Sequence, residues 1–421
     1  MKNMTFSPAE INGTLRVPSS KSQSHRALIC AALAGDSTVR GVDISNDIAA
    51  TANALSALGA KLEYNESEHT FYIGAPCTRD IIAGIVNSGE SASTLRFFIP
   101  LAAALGADVT FIGEGRLPKR PTDIYVPLLT PNGVSLEYPT NGDFLPLHVS
   151  GQLKAGEFSL RGDVSSQFVT GLIYAASQLE CQSRILLTTN LESKPYVDLT
   201  VEMLREFGAD ITEIDNGYAV NGTKLVPREI YVEGDCSQAA FFAVAAAVGG
   251  EVTLAGIRRD TKQGDFKLFD ILSRFGATVT WDGDNVTVSK AGMLRASDID
   301  AADIPDLVPA LAVMAALAEG TTRIYNAGRL RIKESDRIAS TAQMLTAIGA
   351  NVRETEDGLI IVGQKQLSGG SVCAYNDHRI AMAAAGASLG CTGAVTVDDM
   401  SCINKSYPEF VRDFMSVCIP K

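Results

Sequence analysis

Nine residues, Arg329-Leu330-Arg331-Ile332-Lys333-Glu334-Ser335-Asp336-Arg337, hold four cations and two carboxylates and run into an apolar-periodic segment. Charge that dense beside a core-facing element is either a solvated helix entry or one wall of a polar site. Lys333 and Arg337 are four apart, so on a helix they share a face. Other stretches have the same character. Pro18-Ser19-Ser20-Lys21-Ser22-Gln23-Ser24-His25-Arg26 puts hydroxyls and two strong cations at a helix entry. Arg96 follows Glu90-Ser91-Ala92-Ser93, Arg120 closes the Gly-rich cationic run 113–121, His378-Arg379 open another helix, and Lys405 follows Ser401-Cys402-Ile403-Asn404. Ser165-Ser166-Gln167 repeats the arrangement without charge.

A serine at a helix start is most often only an N-cap. Free N–H groups and the positive dipole end also favour an anion there, and guanidiniums bind carboxylate and phosphate in bidentate fashion. Cations recurring at one structural position therefore read as a basic cleft for small polyanions. The carboxylates in reach are Asp47, Asp235, Asp306, Glu334 and Asp336. Acids among cations stay ionised and can move protons at specified atoms, while the same cations oppose a bound metal ion.

The elements that must position these groups form a repeat. An amphipathic segment, an apolar residue, a Gly and a short β-like run recur with glycines at 59, 133, 208, 276 and 349, spaced by 74, 75, 68 and 73 residues. Each Gly reads as a left-handed helix C′ residue with a strand directly after it. A second helix per unit is expected at 22–33, 93–105, 165–179, 236–248, 304–317 and 377–389, and 408–417 closes a truncated sixth unit. The pattern predicts an α/β fold with segregated helices and mixed sheets, in six units of about seventy residues. No GxGxxG or GxxxxGK[ST] follows a strand, so neither a dinucleotide cofactor nor a P-loop nucleotide is expected.

With 421 residues, 46% of them hydrophobic, the chain can bury a large core in two or three domains. Its formal charge of −12, from 36 basic and 48 acidic residues, disfavours nucleic acid and anionic membranes. The stretch 1–10 lacks the apolar core of a signal peptide, and the longest apolar run, 239–248, is too short to span a bilayer. Eight scattered cysteines without a CxxC read as buried hydrophobes in a reducing compartment. These features predict a cytoplasmic protein.

Taken in order, ten stretches closely resemble the 5-enolpyruvylshikimate-3-phosphate synthase family of enolpyruvyl transferases. They are residues 18–26, Thr94-Leu95-Arg96, Arg120-Pro121, Ser165-Ser166-Gln167-Phe168, Ser193-Lys194-Pro195-Tyr196, Glu233-Gly234-Asp235, Ile304-Pro305-Asp306, Lys333 to Arg337, Asn376-Asp377-His378-Arg379 and Lys405-Ser406-Tyr407-Pro408. No single one is decisive; ten in order over residues 18–408 are specific. The resemblance implies two similar globular domains of three units each, 16–226 and 1–15 plus 227–421, with the active site in the inter-domain cleft. It implies transfer of the enolpyruvyl group of phosphoenolpyruvate to the 5-hydroxyl of shikimate 3-phosphate by addition and elimination, on the route to chorismate and the aromatic amino acids. No metal or organic cofactor is implied, and the enzyme is expected to be a monomer without nucleic-acid or membrane partners.

By resemblance, shikimate 3-phosphate meets Lys21, Ser22, Arg26, Ser165, Ser166, Ser193, Asp306 and Lys333. Phosphoenolpyruvate meets Lys21, Ala92, Arg96, Arg120, Gln167, Arg337, Arg379 and Lys405, with His378 and Tyr196 in support. Asp306 would take the hydroxyl proton, Glu334 would move the proton at the enol methylene carbon, and Lys21 would straddle both substrates. This chain has Ala92 where the family usually has Gly, Glu90 where many relatives have Asn, and Arg329 where others have Asn. A methyl at 92 would intrude on the phosphoenolpyruvate pocket and disfavour glyphosate, the family's inhibitor. Two relatives in fold are the alternatives. One is the UDP-N-acetylglucosamine enolpyruvyl transferase, whose loop cysteine has no counterpart in 113–121. The other is an RNA 3′-phosphate cyclase-like protein, against which the acidic sequence pI near 4.9 speaks.

Overall fold

Helices of two kinds alternate along the chain: α1 (Lys21–Ala34), α2 (Asn46–Ala57), α3 (Ala92–Ala104), α4 (Val126–Leu129), α5 (Ser166–Ser177), α6 (Lys194–Glu206), α7 (Cys236–Gly249), α8 (Lys267–Arg274), α9 (Val308–Ala316), α10 (Arg337–Ala347), α11 (His378–Ala387) and α12 (Phe410–Val417). The odd-numbered helices are Ala-rich and apolar on most sides, and every residue of α7, α9 and α11 is buried. A helix with no polar face can only sit inside. The longer even-numbered helices are amphipathic; α8, for example, buries Leu268, Phe269, Ile271 and Leu272 and exposes its charges. The computed structural model describes residues 2–79 and 84–420, so Met1 and Lys421, the ends of the expected discontinuous domain, lie outside the described residues.

Among the described residues the strands form six small mixed sheets. Five share one order, a parallel pair followed by two antiparallel strands: Glu157–Leu160, Ser183–Leu187, Gly217–Asn221 and Asp210–Ile214 make one such sheet. The sheet holding the C-terminal copy keeps the parallel pair Gly370–Val372 and Val395–Asp399, and the antiparallel third strand comes from Lys2–Phe6. The five repeat glycines all stand at φ between +89° and +96°, ending a helical turn before a strand.

The chain divides into two compact units, Lys21–Val232 and Met1–Ser20 with Glu233–Lys421. Each has its own apolar core. Two strands are exchanged along the sequence. Ala9–Arg16 precedes α1 yet pairs in parallel with Gly250–Ala255, whereas Glu229–Tyr231 precedes α7 yet pairs in parallel with Ser37–Arg40. Among the described residues no helix is long and apolar enough to cross a membrane.

Candidate active site

In the unit built on α7, α9 and α11, which pack on one another, polar side chains gather where helices begin. Asp306 lies in a 3-10 turn, Pro305–Leu307, that leads into α9. Asp377 is the N-cap of α11, its carboxylate accepting from the Arg379 N–H at 3.0 Å. Asp336 is the N-cap of α10 and accepts from the Ala339 N–H. That cap corrects one expectation. The helix restarts at Arg337, and Lys333 is left extended at the end of the 3-10 turn Gly328–Ile332, so Lys333 and Arg337 share no helix face.

Arg337 is the centre of the cluster, with a side chain 1% exposed. Its Nε donates to Asp377 Oδ2 at 2.8 Å, one Nη to Asp306 Oδ1 at 2.8 Å, and the other to Glu334 Oε2 at 2.6 Å and Asp377 Oδ1 at 3.3 Å. Arg379 takes the second oxygen of Asp306 at 2.9 Å and the Asp306 carbonyl at 3.2 Å. Ser335 Oγ donates to Asp377 at 2.9 Å. Burial alone would raise the Asp306 carboxyl, but Arg379, Lys333 and Arg337 hold it well below the usual carboxylate range. Burial pushes the Lys333 ammonium down to about 8, against the upward pull of Asp306 and Glu334. Lys405 is buried within the turn Ser401–Lys405, its Nζ 3.5 Å from the Asn376 carbonyl. His378 opens α11 with a buried ring, Nδ1 lying 4.0 Å from Asp377. Arg331 and Arg329, which look like solvent charges in the sequence, pin local structure. Arg331 binds Asp336, Glu354 and the Thr355 carbonyl, and Arg329 binds the carbonyls of Ala301 and Ala302.

The unit built on α1, α3 and α5 gathers its own set. Lys21 opens α1 and meets Asp47 of α2 at 2.7 Å. Ala92 opens α3 behind the N-cap Ser91, and Ser166 opens α5 behind the N-cap Ser165, which accepts from the Gln167 N–H. Arg96 donates to Gln167 Oε1 at 2.9 Å and to the Pro121 carbonyl at 3.3 Å, and lies over the Phe168 ring at 4.6 Å. Gln167 in turn donates to Ser93. This contact requires α3 and α5 to approach closely, and Gly171 allows it. A Cβ there would come 2.5 Å from the Arg96 carbonyl and from Tyr125 Oη. Arg120 is buried beside them in sequence position 120, next to the Pro121 carbonyl that Arg96 uses. Glu90 lies against the same loop, since a Cβ on Gly115 (φ +58°) would sit 2.6 Å from its carboxyl carbon.

Arg26, expected at shikimate 3-phosphate, donates to the Thr200 hydroxyl and to the Ser22 and Tyr196 carbonyls, which accounts for three of its five N–H donors. Ser193 is buried in the left-handed region (φ +54°) directly before α6. The sequence reading missed two carboxylates. Asp377 belongs to the Asn376–Arg379 motif, in which the resemblance gives it no role, although an Asp directly before a helix is a cap signal. Asp265, buried and bonded to Ser237 Oγ, is raised by burial and then by the Asp306 charge, and nothing in its own segment marks it. Among the described residues no group of His, Cys, Asp or Glu is arranged to hold a metal ion.

A family model described as EPSP synthase (3-phosphoshikimate 1-carboxyvinyltransferase) matches residues 6–414. The chain belongs to the EPSP synthase family. The 3-phosphoshikimate 1-carboxyvinyltransferase of Clostridium novyi (strain NT) is 42% identical over 429 residues, covering 99% of this chain and 98% of that one. The Clostridium beijerinckii enzyme of the same name is 42% identical over 430 residues, with the same coverage. A solved EPSP synthase from Acinetobacter baumannii superposes with a TM-score of 0.82 at 26% identity, covering 100% of this chain and 99% of that one. The mixed α/β architecture thus matches that of a solved EPSP synthase. The enolpyruvyl transferase NikO from Streptomyces tendae shares the fold at 19% identity and a TM-score of 0.78, over 99% of this chain and 97% of that one.

In this EPSP synthase family member, removing Asp377 takes the acceptor from the buried Arg337 Nε and from Ser335 Oγ and strips one of the three carboxylates that compensate the guanidinium. Asp377→Ala should therefore destabilise its unit by about 3–5 kcal/mol, read as a lower urea midpoint. A midpoint unchanged from wild type would show that Arg337 does not depend on Asp377.

Proposed function

We infer that the chain catalyses the EPSP synthase reaction of the shikimate pathway, in which phosphoenolpyruvate and shikimate 3-phosphate give enolpyruvylshikimate 3-phosphate and phosphate. The observation that carries this is the family match over residues 6–414, with relatives 42% identical across nearly the whole chain. The residue roles are our own reading, supported by the chemistry of each cluster. The unit with neutral serine caps supplies Lys21, Arg96, Arg120 and Gln167 to phosphoenolpyruvate, and Lys21, Ser22, Arg26, Ser165, Ser166 and Ser193 to shikimate 3-phosphate. The unit with carboxylate caps supplies Asp306 as acceptor of the attacking hydroxyl's proton and Glu334 as the group that moves the methylene proton. Lys333 holds shikimate 3-phosphate there, and Arg337, Arg379 and Lys405 meet phosphoenolpyruvate.

We read the chain as two domains of three units each, near 16–226 and 1–15 with 227–421, a reading that the recurring sheet order supports. We also read the enzyme as a cytoplasmic monomer that needs no metal. The cations around Asp306 and Glu334 support the last point, because they would repel a divalent ion.

Phosphate release from the two substrates tests the proton-transfer assignment. Glu334→Gln should lower kcat by roughly 10²–10⁴-fold while shikimate 3-phosphate still binds. A variant retaining kcat within a few-fold of wild type would remove Glu334 from that role.

Lys333 gives a pH signature. Its folded-state pKa, depressed to about 8, means that the cation is lost as pH rises through that value. Shikimate 3-phosphate affinity should be flat between about pH 7, above the second phosphate pKa near 6, and about pH 8, and weaken by up to about tenfold per unit above it. Lys333→Arg should straighten the profile; a bend that survives this substitution sinks the assignment.

Ala92 opens α3 and is 6% exposed, so its methyl has little room. Overpacking costs about 1–3 kcal/mol, so Ala92→Gly should tighten glyphosate inhibition by roughly 5- to 150-fold, with a smaller change in the KM for phosphoenolpyruvate. An unchanged inhibition constant would falsify this account of Ala92.

A further inference from the structure

One buried polar chain in the unit of α1, α2 and α3 has no place in the chemistry above. Lys21 and His25 are four apart on α1, and Asp47 and Thr51 are four apart on α2. They form two rungs one turn apart between the helices. The outer rung is the Lys21–Asp47 ion pair at 2.7 Å, and the inner one is His25 Nδ1 to Thr51 Oγ1, also at 2.7 Å. The inner rung continues to α3. Thr51 Oγ1 lies 2.8 Å from Thr94 Oγ1, and Thr94 Oγ1 donates to Ser91 Oγ at 2.9 Å. Ser91 is the N-cap of α3 and also accepts from the Thr94 N–H. His25, Thr51, Thr94 and Ser91 are at most 2% exposed.

The protons in this chain can run only one way. Thr94 has a single hydroxyl proton and gives it to Ser91, so Thr51 must donate to Thr94. Thr51 then has only lone pairs to offer His25, which must carry its proton on Nδ1. His25 Nε2 is left as a buried lone pair without a partner, and the ring stands edge-on to Phe97 at 6.4 Å. Burial, and then the charges of Lys21 and Arg26, disfavour the imidazolium and keep the ring neutral. A neutral donor suits the place: it bonds without adding charge beside Lys21 and Arg26.

We propose that His25 is a positioning residue which, through Thr51 and Thr94, fixes the first turn of α3 against α1 and so sets the spacing between Lys21 and Arg96. The same turn carries Ala92 and Ser93, the latter holding Gln167 against Arg96. The proposal rests on the reading above that Lys21, Arg96 and Gln167 hold phosphoenolpyruvate. It predicts that the chain governs that substrate more than shikimate 3-phosphate, because the turn it fixes, the first of α3, carries none of the groups proposed for shikimate 3-phosphate, which lie on α1, at the starts of α5 and α6, and at Asp306 and Lys333.

Thr51→Val keeps the shape and removes the hydroxyl relay, whereas Thr51→Ser keeps the hydroxyl. Thr51→Val should raise the KM for phosphoenolpyruvate about tenfold, leave the KM for shikimate 3-phosphate within about twofold, and be rescued by Thr51→Ser. Long-range ¹⁵N NMR of histidine-labelled enzyme should show His25 protonated on Nδ1 and bare on Nε2 at neutral pH. Equal changes in both KM values, no rescue by serine, or a protonated Nε2 would each overturn the proposal. Failure of the reaction assignment looks different: the wild-type enzyme would release no phosphate. The tautomer, and calorimetric binding of phosphoenolpyruvate to the same variants, would then still decide the role of His25.

Discussion

A guanidinium with 1% of its side chain exposed is tolerable only because three carboxylates meet it. Those carboxylates come from three helix starts: Asp306 before α9, Glu334 before α10 and Asp377 at the cap of α11. Arg337 is thus the tie that sets the register of these elements. The apolar helices behind it could slide at little cost in buried area, since hydrophobic burial is non-directional. Four hydrogen bonds on one planar group cannot slide. The polar cluster therefore supplies the precision that the alanine-rich helices α9 and α11 lack.

The two units solve the problem of helix N-termini differently. Around α3 and α5 the caps are the neutral Ser91 and Ser165; the buried charges there are the cations Arg96 and Arg120, while Glu90 and Asp163 stand just before the caps. Neutral caps leave the positive dipole ends uncompensated and available to an anion. Around α7 and α11 the caps are Asp235 and Asp377, which use up the dipole and bring negative charge among arginines. The first arrangement is suited to holding polyanions and the second to keeping carboxylates ionised and fixed. One repeated helix–strand design thus carries two chemistries, distinguished by the residue type at the cap.

Much of this was legible in the sequence because it rests on local rules. The glycines at 59, 133, 208, 276 and 349 mark positions that only a left-handed residue fills, and all five stand there. The helix following Arg329–Arg337 is legible, but its first residue is not: the four-residue spacing of Lys333 and Arg337 suggests a shared face, and the Asp336 cap between them breaks it. What stayed hidden is non-local. Nothing near Ala9–Arg16 or Glu229–Tyr231 says that each strand pairs with a partner more than a hundred residues away. Asp265 and Thr51 look like any polar residue of their segments. Their roles exist only because Ser237 and His25 reach them from other helices. The cations were conspicuous in composition and spacing, whereas the groups that hold them in place were not.

The same network constrains how the proposed base can act. Asp306 has one oxygen on Arg337 and the other on Arg379, and these cations with Lys333 hold its pKa far below that of a useful base. Arg337 and Arg379 are also the groups proposed to meet phosphoenolpyruvate. A carboxylate or phosphate arriving on those guanidiniums competes with Asp306 for the same N–H donors and offsets the same positive charge. Each unit of pKa that Asp306 regains corresponds to about 1.4 kcal/mol of interaction withdrawn from it. On the proposed roles, the anion of one substrate would thereby tune the base that acts on the other. Free Asp306 is thus protected from protonation by its arginine partners, and in the proposed role it would become a competent acceptor in proportion to how fully those partners were engaged elsewhere.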